Sequence, residues 1–444
     1  MKPGPSFPFV FRALRHRNYR LFFIGQGLSL IGTWIQQTGE VWLAYRLTHS
    51  ALALGVVGFA SQIPTFFLSV FAGPWIDRAN KHRLVTIAQM LAMGQAFALA
   101  ALVISHHITY HLLILLALIS GAIDALEIPS RQSFVIDMVD DPADLGNSIA
   151  LNSSLVNAAR LVGPAAAGLL IAVVGEGWCF FINGVSYLAV ILSLLSMRLK
   201  TASRQSSQAD LWRAFQEGFA YVSGSVPIVI LLSALAVISL FGSSYSVLIP
   251  IFAAQVLHGN SHTLGFLMSA SGLGAMTGAL FLASRKTVLG IGRIIGTGMS
   301  LFGVGLAAFS CSRWFWLSWA MMLVAGLGMM IGTASINTML QTIVEPDKRG
   351  RVMAFFTMAF IGMSPLGNFI GGALASRIGA PETVRLAGMM CLAAALVYIR
   401  NLPTLRAHIR PIYKELGILP ADRQVIPEVA AGLQAASTTI KPRG

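Results

Sequence analysis

The sequence has 444 residues, of which 55% are hydrophobic and only 11% are charged, and its mean hydropathy is +0.72. A soluble domain would carry roughly 25% charged residues to cover its surface, so this composition excludes an ordinary soluble protein and indicates a membrane protein. The net charge of +14 could also suggest nucleic-acid binding. The positions of the basic residues decide between the two interpretations.

Twelve apolar runs, separated by charged or turn-forming residues, lie between residues 21 and 401. Each has about the 20 residues that a helix needs to cross a bilayer, so the sequence predicts twelve transmembrane helices. We expect no cleaved leader, because no short apolar core with a cleavage site precedes the first run. The longest polar segment divides the runs six and six. The predicted parts are an N-terminal segment, a six-helix bundle, a linker, a second six-helix bundle and a tail: 1–20, 21–197, 198–225, 226–401 and 402–444.

The basic residues are concentrated on one side of the predicted membrane. Of the 31 Lys and Arg residues, 26 fall in the two terminal segments and in the connections that share a side with them. Lys and Arg are retained in cytoplasmic loops, so both termini are expected in the cytoplasm. No nucleic-acid partner is then expected.

The two halves of the chain show a weak internal repeat. LALGVVGFASQ (52–62) resembles HTLGFLMSASG (262–272), and VDDPADLG (139–146) resembles IVEPDKRG (343–350). The matching segments occur in the same order in both halves, which predicts a parallel repeat. Two parallel six-helix halves describe the major facilitator fold, an all-α integral membrane architecture.

The short connection between the second and third runs, GPWIDRANKHR (73–83), concentrates charge in an otherwise apolar chain. It resembles the signature loop of the major facilitator superfamily at Gly73, Asp77, Arg78 and Arg83, but it lacks the superfamily's usual glycine before the basic residues. The resemblance implies a cytoplasmic gate that stabilises the outward-facing state. Judged by charge alone, the loop is equally consistent with a topological anchor.

Four further segments resemble one bacterial branch of this superfamily, which includes the enterobactin exporter and similar siderophore or drug efflux permeases. They are RNYRLFFIGQGLSLIGTWIQQ, IPSRQSFVIDMV, LNSSLVNAARLVGPAAAGLL and VGEGWCFFING. The resemblance extends to about residue 402. Gly163, Pro164 and Gly168 resemble the fifth-helix motif associated with antiporters, without its doubled terminal glycine. The resemblance implies a multi-pass permease of the bacterial inner membrane that exports a siderophore or another amphipathic small molecule.

Four ionisable residues are predicted at bilayer depth, where each costs about 2.5–3.5 kcal/mol to insert: Glu40, Asp124, Glu127 and Arg160. A carboxylate facing a central cavity could carry a coupling proton, and Asp124 and Glu127 are the best candidates. Alternatively, Glu127 pairs with Arg131 and Asp124 pairs with Arg160, and these pairs serve packing alone. A role at the outer rim is favoured for Glu40. Arg160 is expected to be a structural partner or to bind anionic cargo.

The sequence contains no phosphate-binding glycine loop, no metal-ligand spacing and no nucleophile–base pair. We therefore expect no enzyme activity, no cofactor and no bound metal, and transport driven by an ion gradient or by the cargo's own gradient. The main prediction is a monomeric proton-linked exporter that works by alternating access in the lipid bilayer. Two alternatives remain open: an importer or a lipid or metal-ion permease on the same fold, and a transport-inactive sensor or scaffold that acts through its tail.

Overall fold

The computed structural model of the protein describes residues 11–139, 141–197, 211–285 and 287–419, without the side chains of residues 69–78, 142 and 211–215. Within these ranges the chain forms twelve long helices and no strand. In chain order they are α1 (Arg17–Thr48), α2 (Ala51–Arg78), α3 (Lys81–Ile104), α4 (Tyr110–Phe134), α5 (Leu145–Val174), α6 (Glu176–Leu195), α7 (Val226–Gly242, continued by Ser244–Ile251), α8 (Ser261–Ala283), α9 (Ile291–Cys311), α10 (Phe315–Ile343), α11 (Arg349–Thr357, continued by Met363–Ile378) and α12 (Ala380–Glu415).

The remaining described elements are short. Single-turn 3₁₀ helices lie at Arg12–Arg15, Val135–Met138 and Pro142–Asp144, and single π turns lie at Phe252–Val256 in α7 and Met358–Gly362 in α11. An amphipathic helix, called the linker helix here, covers Leu211–Gly224. The last long helix, α12, runs to Glu415, well past residue 402, where the sequence predicts the tail to begin.

Eleven of the long helices in the described part of the chain are apolar enough to cross a membrane, one fewer than the sequence predicts. The exception is α1, which has 32 residues and ample length. Its lower apolar content comes from polar side chains in its middle, among them Gln36, Gln37 and Glu40. α1 nevertheless packs against α5 and α6 as part of the bundle, so the described chain has the twelve long helices that the sequence predicts.

Helices α1–α6 pack into one bundle and α7–α12 into another, and the two bundles meet where α2 lies against α11 and α5 lies against α8. The short connections place the start of α1, the α2–α3 connection and the end of α12 on one face of the molecule. We call this the basic face, and we call the other end of the bundle the opposite face. On the opposite face, Arg46 of α1 pairs with Glu176 of α6 at 2.8 Å.

The N-terminal segment is tied to the start of α5 by Asp144. The Asp144 side chain is fully buried, and Arg12, Arg15 and His16 all lie within 2.9 Å of its carboxylate oxygens. The hydrogen bond from Arg15, followed by that from His16, holds the pKa of Asp144 below its ordinary value. Three partners on one carboxylate therefore fix the entry of the chain into the first bundle.

Candidate functional site

Glu40 lies inside the first bundle, in a network of polar side chains. It is 8% exposed and accepts a hydrogen bond of 2.7 Å from Gln36 Nε2. The same nitrogen also bonds to Gln95 Oε1 of α3 at 2.9 Å, and Gln36 Oε1 accepts from Asn183 of α6 at 2.7 Å. This corrects the expectation that Glu40 lies at an outer rim, because three helices of the bundle enclose its side chain.

Glu127 is paired along its own helix. Its Oε1 accepts a 2.8 Å hydrogen bond from Arg131 Nε, one turn further along α4, and a 3.0 Å bond from Gln89 Nε2 of α3. Both members of the ion pair are buried. The packing alternative is thus the geometry found for Glu127, whose charge is balanced within the first bundle.

Asp124 has a different environment from Glu127, although the two lie one helical turn apart. Asp124 is half-buried, and in the described part of the chain its side chain forms no hydrogen bond and no ion pair. It lies within electrostatic range of Glu127, Glu40 and Arg131. The predicted pair between Asp124 and Arg160 is not formed, so the expectation of an ion pair between α4 and α5 is wrong in this structure.

Arg160 lies instead over the ring of Trp34 of α1, with its guanidinium carbon 5.7 Å from the ring centroid. The face of an aromatic ring carries partial negative charge and attracts the guanidinium cation. Among the described residues, no carboxylate pairs with Arg160. Trp34 also packs against Gly163, where a Cβ would lie 2.4 Å from the Trp34 Cβ, so this position of α5 has no room for a side chain.

Pro164 and Gly168 of the fifth-helix motif form part of the contact between the two bundles. A Cβ at Gly168 would lie 2.7 Å from the Ser261 carbonyl oxygen of α8, and a Cβ at Gly265 would lie 2.4 Å from the Pro164 carbonyl oxygen. Small residues allow such close approach of helix backbones in membranes. Gly55 of α2 makes an equivalent approach to the α11 backbone. These contacts lie in the part of the molecule remote from the basic face.

A cavity of about 170 Å³ lies in the second bundle, at the edge where α2 of the first bundle approaches it. Gln62 of α2 faces it from the first bundle, and Ser239 and Ser243 of α7 and Ser364 of α11 face it from the second, together with apolar side chains of α10 and α11. The hydroxyls of Ser239 and Ser243 donate to the Phe360 and Ser364 carbonyl oxygens of α11, so these serines hold α7 against α11.

The predicted gating loop is only partly described. The α2 helix extends to Arg78. The stretch 69–78, which contains Gly73, Asp77 and Arg78, is described without its side chains. Arg83 is exposed, and its backbone N–H donates to Asn80, which caps the start of α3. The gating role of this loop stays a prediction.

The sequence identifies the carboxylates but not the amide side chains that bond to them or to Gln36. Gln89, Gln95 and Asn183 each interrupt an apolar run, and that is the signal that could have identified them. Which helix each of them faces depends on the rotation of α3 and α6 about their axes, which one sequence does not determine.

Comparison with known proteins gives the family. The family model described as "Transmembrane secretion effector" matches residues 9–418. The chain is 25% identical over 393 residues to the Staphyloferrin A transporter of Staphylococcus aureus, covering 85% of this chain and 95% of that protein. It is 26% identical over 414 residues to the multidrug efflux pump Tap of Mycobacterium tuberculosis, covering 91% and 94%.

Two solved structures share the fold. One is a bacterial homologue of the human lysosomal transporter Spinster in an inward-facing and unoccupied conformation, with a TM-score of 0.68, 13% identity and coverage of 88% of this chain and 98% of that chain. The other is the nucleoside transporter NupG, with a TM-score of 0.67, 16% identity and coverage of 87% and 99%. At these identities the likeness shows the fold alone.

The predicted superfamily and the prediction of a transporter rather than an enzyme are confirmed by these comparisons. The molecule is embedded in a membrane and acts on a small-molecule substrate. The chain belongs to the transmembrane secretion effector family of the major facilitator superfamily.

Proposed function

We propose that this protein is a proton-linked exporter of a siderophore or a similar amphipathic small molecule. It works by alternating access in the bacterial cytoplasmic membrane, with both termini and the basic face in the cytoplasm. The names of the Staphyloferrin A transporter and of the efflux pump Tap support this substrate class and direction. The basic residues that cluster on one face support the orientation.

The unpaired carboxylate of Asp124 carries the proposal of proton coupling. Glu127 is neutralised by Arg131, and Glu40 is enclosed by glutamine side chains, whereas Asp124 has no bonded partner in the described structure. A group that must gain and lose a proton in each cycle cannot be held permanently by a strong counter-charge. Asp124 is therefore the proton carrier of this proposal, and Glu127 holds α4 in place.

The two halves are in contact remote from the basic face, which supports a cycle of rocking bundles. With the basic face in the cytoplasm, this state receives cargo from inside. A proton that reaches Asp124 from outside would then exchange for cargo released on that side. In this proposal Gly73, Asp77, Arg78 and Arg83 close the cytoplasmic side in the outward-facing state.

The cargo is identified first, by untargeted mass spectrometry of iron-starved cells with and without the protein. We expect a chelator to be retained inside cells only when the protein is absent. An unchanged chelator pool would remove siderophores as cargo and shift attention to toxins, to be tested by a tolerance panel.

The coupling is then tested with the identified cargo in proteoliposomes. We expect Asp124→Asn to abolish accumulation driven by a pH gradient and to keep exchange of cargo down its own gradient. As a control, Asn183→Asp is combined with Asp124→Asn. The combination places a carboxylate elsewhere in the first bundle, and we do not expect it to restore coupling. Full pH-driven accumulation by Asp124→Asn would contradict the assignment of Asp124.

A further inference from the structure

A second cavity lies away from the contact between the two bundles, on the basic face of the second bundle. It has a volume of about 320 Å³ and lies between the start of α9, the end of α10 and the final turns of α12. Its wall is largely apolar and includes Ile291, Met339, Leu405 and Ile409. Its size is within the range of small-molecule sites, and nothing in the transport cycle uses it.

The polar groups of this cavity carry positive charge. Arg293, Arg406 and Arg410 line it, and no acidic residue is among its described lining residues. The side chains of Arg293 and Arg406 form no ion pair or hydrogen bond within the described part of the chain. An apolar cavity bordered by arginines favours an anion that also has an apolar part.

The first turn of α9 adds to this preference for an anion. Gly290, at the N-cap, provides no side chain to cap α9, and the buried Gly292 lies in the same wall. The first N–H groups of a helix have no partner within the helix, and the helix dipole places partial positive charge there. The N–H groups of Ile291 and Arg293 bond to the Val288 and Gly290 carbonyl oxygens, which leaves the N–H of Gly292 as the backbone donor for an anion in this cavity, beside the guanidinium groups.

Tyr413 provides an independent observation. Its side chain lines the cavity and is only 6% exposed, yet its hydroxyl group has no hydrogen-bond partner. A buried hydroxyl without a partner costs free energy. A bound oxyanion would accept the hydrogen bond that this hydroxyl can donate.

The position of the cavity matches the level of lipid head groups. α12 has 36 residues and is therefore about 54 Å long at 1.5 Å per residue. The hydrocarbon core is about 30 Å thick, so the last turns of α12, which border the cavity, extend beyond it. Head-group phosphates lie at this boundary, with acyl chains beside the apolar wall.

We propose that this cavity binds an anionic phospholipid, whose phosphate contacts Arg293, Arg406 and the start of α9 and accepts a hydrogen bond from Tyr413. The acyl chain lies along the apolar side chains of α9 and α12. Basic pockets between transmembrane helices bind anionic head groups in this way. The bound lipid would hold the end of α12 against α9 and α10.

Native mass spectrometry of the full-length protein tests the proposal, with phosphatidylglycerol and phosphatidylcholine added in turn. We expect selective retention of phosphatidylglycerol and about a tenfold loss of this retention in Arg293→Gln/Arg406→Gln. Tyr413→Phe is expected to lose retention to a smaller extent. Arg20→Gln/Arg400→Gln changes two exposed arginines of the same face outside the cavity and is expected to retain the lipid as the parent protein does.

The outcomes separate the possible sources of the anion. An equal loss of retention in both double variants would show a general charge effect and overturn the proposal, as would unchanged retention in Arg293→Gln/Arg406→Gln. Displacement of phosphatidylglycerol by millimolar inorganic phosphate would identify a free-phosphate site and overturn the lipid assignment. Thermal unfolding in detergent establishes that each variant is folded.

Discussion

Glu127 and Asp124 show how much one helical turn changes the role of a carboxylate. Glu127 Oε1 receives two hydrogen bonds, one of them from a buried arginine, whereas Asp124 receives none among the described residues. The sequence predicts the spacing of Glu127 and Arg131 and allows their ion pair. Sequence spacing does not determine partners on different helices, and for that reason the alternative of a pair between Asp124 and Arg160 is not found in the structure.

Glu127→Gln is expected to lower the free energy of unfolding by about 3–5 kcal/mol, because it leaves the buried Arg131 without its counter-charge. Denaturant unfolding in detergent measures the change. Glu127→Gln/Arg131→Gln removes both charges and is expected to be more stable than the single variant. Equal stability of Glu127→Gln and the parent protein would show that the pair contributes nothing to the fold.

Asp144 leads to a prediction about pH. Its bonds to Arg15 and His16 lower its pKa below the ordinary value of 3.8, so the stabilisation is complete above about pH 4 and is lost only as the pH falls through the lowered value. The N-terminal segment should therefore resist trypsin equally at pH 6 and pH 8. Asp144→Asn should make cleavage after Arg12 and Arg15 several times faster, whereas Asp141→Asn, an exposed neighbour, should not.

At the scale of helices, hydropathy predicts where most of them lie, because crossing a bilayer requires a long apolar run. The structure departs from this prediction at α1 and at α12, and each difference has a physical cause. α1 is less apolar than the other long helices because it carries glutamines that bond within the first bundle, and α12 continues to Glu415 because its last turns bury Leu405, Ile409 and Tyr413. The fifth-helix motif does not predict the close contact of α5 with α8, because the motif lies in α5 alone and gives no information about the partner helix.

Gly265→Ala tests the contact between α5 and α8. The added Cβ would lie 2.4 Å from the Pro164 carbonyl oxygen, and overpacking of this kind costs about 1–3 kcal/mol. We expect the two bundles to separate on the opposite face. Spin labels at positions 173 and 314, in a Cys311→Ser background, should show a longer distance. Gly94→Ala adds a Cβ with no atom within 4 Å and should leave the distance unchanged.

At the scale of the whole molecule, the backbone approaches between the bundles at Gly55, Gly168 and Gly265 lie toward the opposite face, whereas the first glycines of α5 and α11 make no such approach. A Cβ at Gly146 or at Gly350 would meet no atom within 4 Å. The repeat in the sequence predicts two similar bundles, but it cannot predict the state of the cycle, because both states use the same helices. Close approaches toward the opposite face are the arrangement expected of a molecule that opens toward the basic face.

Labelling of cysteines from each side of the membrane tests the conformational state of the transporter and its proposed orientation together. Ser153→Cys, on the exposed part of α5 toward the basic face, should react with an impermeant maleimide in inside-out vesicles only. The native Cys311, exposed at the end of α9 on the opposite face, should react in right-side-out vesicles only. The reverse pattern for both cysteines would mean that the orientation is inverted.

The position of the linker helix determines where the polypeptide can be split into two separately expressed fragments. Glu217 pairs with Arg351 of α11 at 2.9 Å, and the Phe219 and Phe355 rings lie 6.4 Å apart, so this helix belongs structurally to the second bundle although it precedes α7 in the chain. Two fragments expressed from separate genes, 1–205 and 206–444, should therefore reassemble into a working transporter. A division after residue 224 should fail, because it leaves the linker helix on the wrong fragment; equal complementation by the two pairs would show that its docking on α11 is dispensable.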